Sequence, residues 1–285
     1  MAELLKGKEV TDKLNASLKE RSEALREKGV TPVLAIVRLG ERPDDMAYEK
    51  GALARAEKTG VAVKQFIFDA DMNQEALLNE IDRINKDDSI HGVLMFRPLP
   101  SQIDDETVRN ALDPKKDVDG ITDGSMAGIY SGSDKGFPPC TAEACMEILH
   151  HYNIDVKGKN VAVIGRSQVI GKPVSMMLIK ENATVTVCHT KTENMADICR
   201  KMDIIIAAAG HINTVTGDFL SPGQTVIDVA INFDDEGNMR GDVNFDEAEP
   251  VVGCITPVPG GVGAVTTSML MKHVIQAAEG SAADE

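Results

Sequence analysis

The sequence lacks features that would assign its 285 residues to several large protein classes. No uninterrupted apolar run approaches the roughly 20 residues that a membrane-spanning helix needs. The first residues, MAELLKGKEVTDKL, are charged from the third position and contain no apolar signal core. Positive charge is not in excess either, because the net charge is −15. We therefore expect a cytosolic protein that binds neither a membrane nor a nucleic acid, since phosphate backbones attract basic surfaces.

Paired cysteines are also missing. The five cysteines are scattered, odd in number and without a CxxC pair. This pattern favours reduced thiols in or near a core, and it predicts neither a disulfide framework nor a metal site. The five are Cys140, Cys145, Cys188, Cys199 and Cys254.

Short apolar runs alternate with amphipathic stretches through the first half of the chain. This alternation is typical of parallel strands whose sheet faces are covered by helices. The expected helices span 9–28, 43–59 and 73–87, and the expected strands span 32–40, 61–68 and 91–100. Residues 113–139 are rich in Gly, Asp, Ser and Pro without a sustained period, which predicts a long functional loop.

After a helix expected at 141–152, the same alternation restarts in the second half. Buried strands are expected at 159–165, 183–189, 202–210 and 225–232, with helices at 172–181 and 267–278. The sequence therefore predicts an α/β protein of two domains. The expected domains are an N-terminal α/β domain (1–145) and a Rossmann-type doubly wound domain (146–266). The C-terminal segment (267–285), which contains the last helix, is expected to pack back on the first domain.

A buried strand, a turn and a helix follow one another around Gly165. Gly165 and Gly171 do not reproduce the GxGxxG spacing, so the glycines alone are weak evidence for a dinucleotide site. The helix N-terminus nevertheless offers free N–H groups and a partial positive charge to a pyrophosphate. Arg166 and Ser167 lie beside that expected phosphate path, unless they belong to an ordinary solvated turn.

The end of the next strand predicts which nicotinamide cofactor is preferred. A carboxylate at this place favours NAD, whereas basic and hydroxyl groups favour the 2′-phosphate of NADP. The strand ends in His189, Thr190 and Lys191, and no carboxylate occurs before Glu193. Together with Arg166, this favours NADP, with NAD as the alternative, and Lys191 is equally compatible with an ordinary surface position.

Long motifs occur in the same order through both halves. They are RPLP (97–100), PKKDVDG (114–120), PPCT (138–141), GRSQVIGKP (165–173), ATVTVCHTKT (183–192), VIDVAIN (226–232), GDVNF (241–245) and TPVPGGVG (256–263). On these motifs the chain resembles the methylenetetrahydrofolate dehydrogenase/cyclohydrolase family, from about residue 3 to 278.

The resemblance implies a fold, two activities and an assembly. Members have a catalytic α/β domain, a Rossmann domain and a folate cleft between them. They transfer a hydride from 5,10-methylenetetrahydrofolate to NADP and hydrolyse the resulting 5,10-methenyltetrahydrofolate to 10-formyltetrahydrofolate. These are reactions of one-carbon metabolism that serve purine biosynthesis. The usual member is a homodimer.

The resemblance also assigns site residues. Tyr48 matches the aromatic residue that stacks on the folate, and Asp119 matches the carboxylate that binds the pterin, where it can accept two parallel hydrogen bonds. The loop beside the nicotinamide matches Val258, Pro259, Gly260, Gly261 and Gly263. The implied cofactor-binding residues are Gly165, Arg166, Ser167, Gly171, His189, Thr190, Ala230 and Ile231.

Two departures from the family affect the hydrolytic step. The catalytic lysine of the family, four residues after the tyrosine, is replaced by Ala52, and its glutamine partner is replaced by Phe96. Lys50 lies about 200° around the helix from Tyr48, so it points away. Arg55 returns to the same face, but a guanidinium stays protonated and cannot act as a base.

We therefore expect a dehydrogenase whose cyclohydrolase activity is weak or absent and whose catalytic residues are unknown. Hydride transfer chiefly needs alignment of the reactants, whereas cyclohydrolysis needs a group that activates water or carries a proton. Three alternatives stay open: a bifunctional enzyme with another proton carrier, a non-catalytic folate- or nucleotide-binding module, and a dehydrogenase of another small substrate.

Overall fold

The computed structural model describes residues 1–284, with side chains through residue 282. The strands are β1 (Glu3–Leu4), β2 (Val33–Leu39), β3 (Ala62–Phe68), β4 (Gly92–Met95), β5 (Asn160–Ile164), β6 (Thr184–Cys188), β7 (Ile204–Ala207), β8 (Thr225–Asp228), β9 (Asn232–Phe233), β10 (Met239–Arg240) and β11 (Cys254–Ile255). The helices are α1 (Gly7–Glu27), α2 (Pro43–Thr59), α3 (Gln74–Lys86), α4 (Asp105–Ala111), α5 (Asp123–Ser131), α6 (Cys140–His151), α7 (Gly171–Lys180), α8 (Met195–Cys199), α9 (Phe245–Ala248) and α10 (Thr266–Asp284).

The chain divides into two compact units. The three-stranded unit comprises residues 13–140 and the helix from Thr267 onward, and the six-stranded unit comprises residues 1–12 and 141–266. Residues 1–12, which the sequence predicts to lie in the first domain, belong to the six-stranded unit because β1 pairs with β11. A strand of two residues is too short to show an alternating pattern in the sequence. Glu285 lies outside the described residues.

The three-stranded unit is built on a parallel sheet in the order β3-β2-β4. The central strand β2 is buried at all seven positions, as expected for a strand covered on both faces. One face places Val37 and Met95 in a core with Ile81 of α3 and Val108 of α4. Alternation along the strands directs Arg38 to the opposite face.

Three sequence predictions for this unit need correction. The strand predicted at 91–100 ends at Met95, since Pro98 and Pro100 cannot donate ladder hydrogen bonds. The predicted loop 113–139 contains α5, which Thr122 caps by accepting the Ser125 N–H. The final helix, predicted to end at 278, continues to Asp284.

The six-stranded unit is a parallel sheet in the order β6-β5-β7-β8-β11-β1. Strands β6 and β7 lie on opposite sides of β5, so the direction of strand order reverses there. In doubly wound sheets ligands bind outside the carboxyl ends of the strands at such a switch point. The turn after β5, which begins at Gly165, lies at this position.

Candidate functional site

In the three-stranded unit, the candidate residues gather at the carboxyl end of β4. A parallel bridge pairs Val93 with Asp117, and the Val93 N–H donates to Lys116 O at 2.7 Å. The chain turns directly after this bridge, and Asp119 lies in the turn, where the charge of Arg97, the residue after Phe96, acts on its carboxylate. The pterin-binding candidate and the substituted glutamine position therefore lie at the same edge of the sheet.

Tyr48 on α2 reaches the same edge. Its ring contacts the ring of Phe96 with centroids 6.0 Å apart and an interplanar angle of 82°. Ala52 follows one helical turn later and is completely buried, whereas Lys50 is exposed, as the helix geometry predicted. The two positions that differ from the family thus hold a methyl group and a phenyl ring, neither of which can carry a proton.

The Asp119 loop is held from inside by the preceding acid, Asp117. The fully buried Asp117 carboxylate accepts the N–H groups of Ile121 (3.0 Å) and Thr122 (2.8 Å) and the hydroxyl of Ser125 (2.6 Å). Asp117 therefore caps the turn that carries Asp119. Gly120 has φ +66, and a Cβ there would lie 2.5 Å from the Pro139 nitrogen, so the turn requires glycine.

The half-buried carboxylate of Asp119 has a raised proton affinity. Burial raises the pKa of Asp119 to about 6, and the charge of Asp117 adds to that effect. A hydrogen bond from the Cys140 thiol and the electrostatic interactions with His273 and Arg97 lower it. Asp119 is therefore mainly ionised at neutral pH, as a hydrogen-bond acceptor for a pterin needs to be.

Two lysines precede Asp117, and lysines in a polar loop usually face solvent. Lys115 is exposed, but Lys116 is partly buried. Its Nζ donates to Ile84 O (3.0 Å) and Asp87 O (2.8 Å), carbonyls at the C-terminal end of α3. Cations at helix C-termini satisfy carbonyls that have no intrahelical partner, so Lys116 has a structural role.

In the six-stranded unit, two glycines form a tight turn between β5 and α7. Gly165 has φ +130, and a Cβ there would lie 2.2 Å from Ala208 O, directly after β7. A Cβ on Gly171 would lie 2.2 Å from Gly165 O. The turn therefore leaves backbone atoms exposed to a close ligand at the switch point, which fits a dinucleotide pyrophosphate.

Ser167 and Arg166 occupy this turn, and both are exposed. Ser167 Oγ accepts the N–H of Ile170 at 3.1 Å and that of Gly171 at 3.4 Å, so it caps the start of α7. Its own hydroxyl hydrogen remains available for an acceptor. The cationic Arg166 precedes it on the same solvent-facing turn, where an anionic group can approach.

His189, Thr190 and Lys191 follow the edge strand β6. The Lys191 N–H donates to His189 Nδ1 at 3.2 Å, so this nitrogen is an acceptor and Nε2 carries the proton of the neutral ring. Thr190 and Lys191 are exposed. Because the Gly165 N–H donates to Cys188 O at 2.9 Å, this segment lies beside the turn that carries Arg166.

The glycine-rich loop at 258–263 is anchored within the six-stranded unit. The Gly7 N–H donates to Gly260 O at 2.8 Å, and a Cβ on Gly261 would lie 2.5 Å from Pro257 O. A Cβ on Gly263 would lie 2.9 Å from Ile231 Cδ1. Ile231 is 51% exposed and its neighbour Ala230 is buried, so this loop and the end of β8 form one continuous surface.

The two halves of the chain match two domain models of one family. Residues 5–119 match the tetrahydrofolate dehydrogenase/cyclohydrolase catalytic domain, and residues 139–282 match the NAD(P)-binding domain of the same family. The chain belongs to the tetrahydrofolate dehydrogenase/cyclohydrolase family. The resemblance seen in the motifs is thereby confirmed.

Individual relatives agree with this membership. The bifunctional protein FolD of Alkaliphilus oremlandii is 48% identical over 277 residues, 97% of each chain. The crystal structure of the bifunctional FolD from Campylobacter jejuni is 36% identical, with a TM-score of 0.95 over 98% of this chain and 99% of that one. The Trypanosoma brucei FolD, crystallised with NADP and an inhibitor, is 35% identical, with a TM-score of 0.91 over 98% of both chains.

Two buried carboxylates that the sequence analysis passed over organise the family motifs VIDVAIN and GDVNF. Asp242 accepts the N–H groups of residues 209–211 at 2.5–3.0 Å. Asp228 accepts those of Asp242 and Val243, each at 3.0 Å. Burial raises the pKa of Asp228 to about 7, and the charge of Asp242 adds to this. The sequence signal that could have identified them is the acidic residue inside each of these motifs.

A buried ion pair was also missed. Arg38 Nε lies 2.7 Å from Glu49 Oε2, and both side chains are 6% exposed. Gln65 donates to the other carboxylate oxygen of Glu49. Glu49 is adjacent to Tyr48, but both of its oxygens are already bound, so it is poorly suited to act as a base.

Among residues 1–284, no group of three or more His, Cys, Asp or Glu side chains is arranged to hold a metal ion. None of the helices in the same range is long and apolar enough to cross a membrane. All five cysteines are free, and four of them are buried, as the sequence predicted.

Proposed function

We propose that this protein oxidises 5,10-methylenetetrahydrofolate to 5,10-methenyltetrahydrofolate with NADP, and that its cyclohydrolase activity is weak or absent. One observation carries the proposal. Tyr48 contacts Phe96, and the charge of Arg97, next to Phe96, acts on Asp119, so both substrate-binding candidates lie near the positions where Ala52 and Phe96 replace the polar pair of the family. The substrate-binding candidates are therefore retained while the proton-carrying candidates are lost.

Binding and orientation of the folate are assigned to residues that match the family motifs. The ionised carboxylate of Asp119 would accept parallel hydrogen bonds from the amino and ring N–H groups of the pterin. Tyr48 presents an aromatic face for stacking, while Phe96 contacts the same ring and limits its rotation. The residues of the glycine-rich loop, Val258 through Gly263, are assigned to the nicotinamide side of the substrate.

The cofactor is assigned to the turn at the switch point of the six-stranded sheet. Gly165 and Gly171 would admit the pyrophosphate, with Ser167 as a polar partner, and the cationic Arg166 would bind the 2′-phosphate of NADP. His189 and Thr190 would face the ribose, and Ala230 and Ile231 would line the nicotinamide end. NADP, when bound, supplies the hydride acceptor. The absence of a carboxylate from 189–191 supports NADP over NAD.

The loss of cyclohydrolysis follows from the chemistry of the substituted positions. Hydrolysis of the methenyl bridge needs a group that activates water or moves a proton. A methyl group and a phenyl ring can do neither, and both oxygens of the neighbouring Glu49 carboxylate are occupied. Hydride transfer depends chiefly on alignment, so it survives these substitutions.

A second candidate function is a bifunctional enzyme with a different proton carrier, and one observation favours it. Asp45 is 7% exposed and lies seven residues before Ala52, on the same face of α2. The side chains of a helix lean toward its N-terminus. The lysine that the family has at position 52 would therefore extend toward Asp45, so the Asp45 carboxylate is on the side of the helix where the proton carrier is expected. If cyclohydrolase activity is found, the variant Asp45→Asn should abolish it.

Hydride transfer is tested with the purified protein, 5,10-methylenetetrahydrofolate and either NADP or NAD. The proposal predicts methenyl absorbance that accumulates with NADP and more slowly with NAD. Folate binding without hydride transfer to either cofactor would instead support a non-catalytic module. Absence of folate binding would favour a dehydrogenase of another small substrate.

We also propose that the protein acts in the cytosol as a homodimer. Family resemblance supports the assembly, and five free cysteines are typical of a reducing compartment. Light scattering on the purified protein should give twice the chain mass of 30.6 kDa, and a mass of one chain would overturn the assembly.

A further inference from the structure

A buried polar cluster lies behind the Asp119 loop, on the side of helix α10. Its central residue is His273, which is 1% exposed and stacks on Phe137 with centroids 4.9 Å apart and ring planes at 30°. The thiol of Cys140 is 3.8 Å from His273 Nδ1. A buried imidazole in a helix that packs on a sheet has a desolvation cost that an apolar residue would avoid, so its contacts need an explanation.

His273 holds the main chain immediately before Asp119. Its Nδ1 lies 2.7 Å from Val118 O. A carbonyl oxygen can only accept, so Nδ1 carries a proton and donates to it. The Cys140 Sγ lies 3.3 Å from the same oxygen and contributes a weaker contact. The Val118 carbonyl is therefore fixed by a side chain from an element 155 residues away in sequence.

The peptide segment that carries Asp119 is thus anchored on both sides. Before it, Val118 is held by His273 and Asp117 is held by the N–H groups of Ile121 and Thr122. After it, Gly120 is pressed against the chain at Pro139. With both neighbours fixed, the main-chain atoms of Asp119 have little freedom, and its carboxylate has a defined direction.

We propose that His273 is a positioning residue whose Nδ1–H bond to Val118 O directs the Asp119 carboxylate toward the pterin. The proposal rests on the proposed function, since it assigns the pterin to Asp119. A carboxylate that is held in place loses less conformational freedom when a ligand binds. Loss of the bond should therefore weaken folate binding more than it slows hydride transfer.

The test uses two polar variants of nearly equal size. In His273→Asn, the amide nitrogen can occupy the place of Nδ1 and donate to Val118 O. In His273→Gln, the amide lies one methylene farther out, near the place of Nε2. His273→Gln should raise the KM for 5,10-methylenetetrahydrofolate about fivefold to tenfold, the effect of one lost hydrogen bond. His273→Asn should stay within about twofold of the wild type, and kcat should change little in either.

Three further readouts distinguish positioning from loss of folding. The KM for NADP should be unchanged in both variants, because the cofactor candidates lie in the six-stranded unit. Gln276→Leu, at an exposed position on the same helix, should leave both KM values unchanged. Thermal unfolding of all variants should be compared with that of the wild type, to show that the two polar variants are equally folded.

The proposal is overturned if His273→Gln binds folate as the wild type does, or if both variants raise the KM for folate equally. A fall in kcat without a change in KM would also contradict it. Absence of hydride transfer in the wild-type protein would instead contradict the proposed function. In that case equilibrium binding of 5,10-methylenetetrahydrofolate to the same variants still tests the role of His273.

Discussion

The ring of Tyr48 meets the ring of Phe96 edge to face, with centroids 6.0 Å apart and planes at 82°. Such a pair stabilises by roughly 0.5–1.5 kcal/mol beyond the area that it buries. The contact holds Tyr48, the candidate for stacking on the folate, against an apolar ring at the position where the family has a glutamine. Together with the buried Ala52, it leaves two apolar side chains at the positions where the family has a lysine and a glutamine.

Restoring the polar pair should restore hydrolysis. The double variant Ala52→Lys with Phe96→Gln is expected to raise the rate of methenyltetrahydrofolate decay at least tenfold, because general acid–base groups contribute about 10²–10⁴-fold where their geometry is intact. Each single variant should gain less, since an unpartnered lysine is not oriented. The decay of added methenyltetrahydrofolate measures this.

A matched control is Ala54→Lys, which adds the same charge at an exposed position of α2. It should not change the decay rate. No gain in a correctly folded double variant would mean that the missing activity, or its replacement, depends on other residues such as Asp45.

Folate binding should weaken in acid as Asp119 takes up a proton. Its pKa of about 6 lies above the ordinary 3.8, so the ionised fraction falls as the pH drops through 6. The groups facing it are Asp117, Cys140, His273 and Arg97. The KM for 5,10-methylenetetrahydrofolate should therefore rise about tenfold per pH unit below 6, while kcat at saturating folate stays nearly constant.

In the variant Asp119→Asn, the KM for 5,10-methylenetetrahydrofolate should no longer rise below pH 6. At pH 8 this KM should exceed that of the wild type by roughly 10- to 100-fold, as expected for loss of hydrogen bonds to a charged group. Asp134→Asn, at an exposed position, is the control and should keep the wild-type profile. If the KM of Asp119→Asn still rises below pH 6 as in the wild type, a group other than Asp119 causes the pH dependence.

The glycine turn after β5 should tolerate no side chain. In Gly165→Ala, the new Cβ would meet Ala208 O at 2.2 Å in a backbone region with φ +130, so the turn has to move. The KM for NADP should rise at least tenfold and the protein should lose about 1–3 kcal/mol of stability. Cofactor titration and thermal unfolding measure the two effects.

Gly158→Ala separates backbone strain from the clash. Gly158 has φ +72 but no atom within 4 Å of the added Cβ, and it precedes β5 at the other end of the strand. This variant should lose roughly 1 kcal/mol and keep the wild-type KM for NADP. Equal KM values for NADP in the two variants would contradict the proposal that the pyrophosphate binds at the Gly165 turn.

Much of the three-stranded unit could be predicted because its signals are local. The six apolar residues of β2 predict a buried strand, and α2 starts at Pro43 and stops before Gly60, whose φ is +77. The α5 helix escaped prediction because its small residues and glycines hide the helical period. Its start depends on the Thr122 cap, which is recognisable only once the boundaries are known.

Long-range contacts explain what the sequence could not predict at the site. His273 reads as one residue of an amphipathic helix, and its bond to Val118 joins residues 155 positions apart. Lys116 reads as a solvated charge, although its ammonium group binds carbonyls about 30 residues earlier, at 84 and 87. Motif resemblance located Asp119 and Gly165, but only the fold shows what holds them.

Cofactor preference should depend on Arg166. Its replacement by glutamine keeps the side-chain length nearly unchanged and removes the charge. Arg166→Gln should raise the KM for NADP about tenfold and leave the KM for NAD within twofold, because only NADP carries the 2′-phosphate. Lys180→Gln, exposed at the far end of α7, is the charge-matched control. Equal effects on both cofactors would indicate a contact to the pyrophosphate instead.

The most direct test of the account is the fate of 5,10-methenyltetrahydrofolate added to the wild-type protein. Without nicotinamide cofactor, its absorbance is followed at increasing protein concentrations. The account predicts decay at the rate of the buffer alone, at every concentration, by a preparation that is active in hydride transfer. Decay that accelerates in proportion to the protein concentration would contradict it and would show that hydrolysis has survived the loss of the lysine and glutamine.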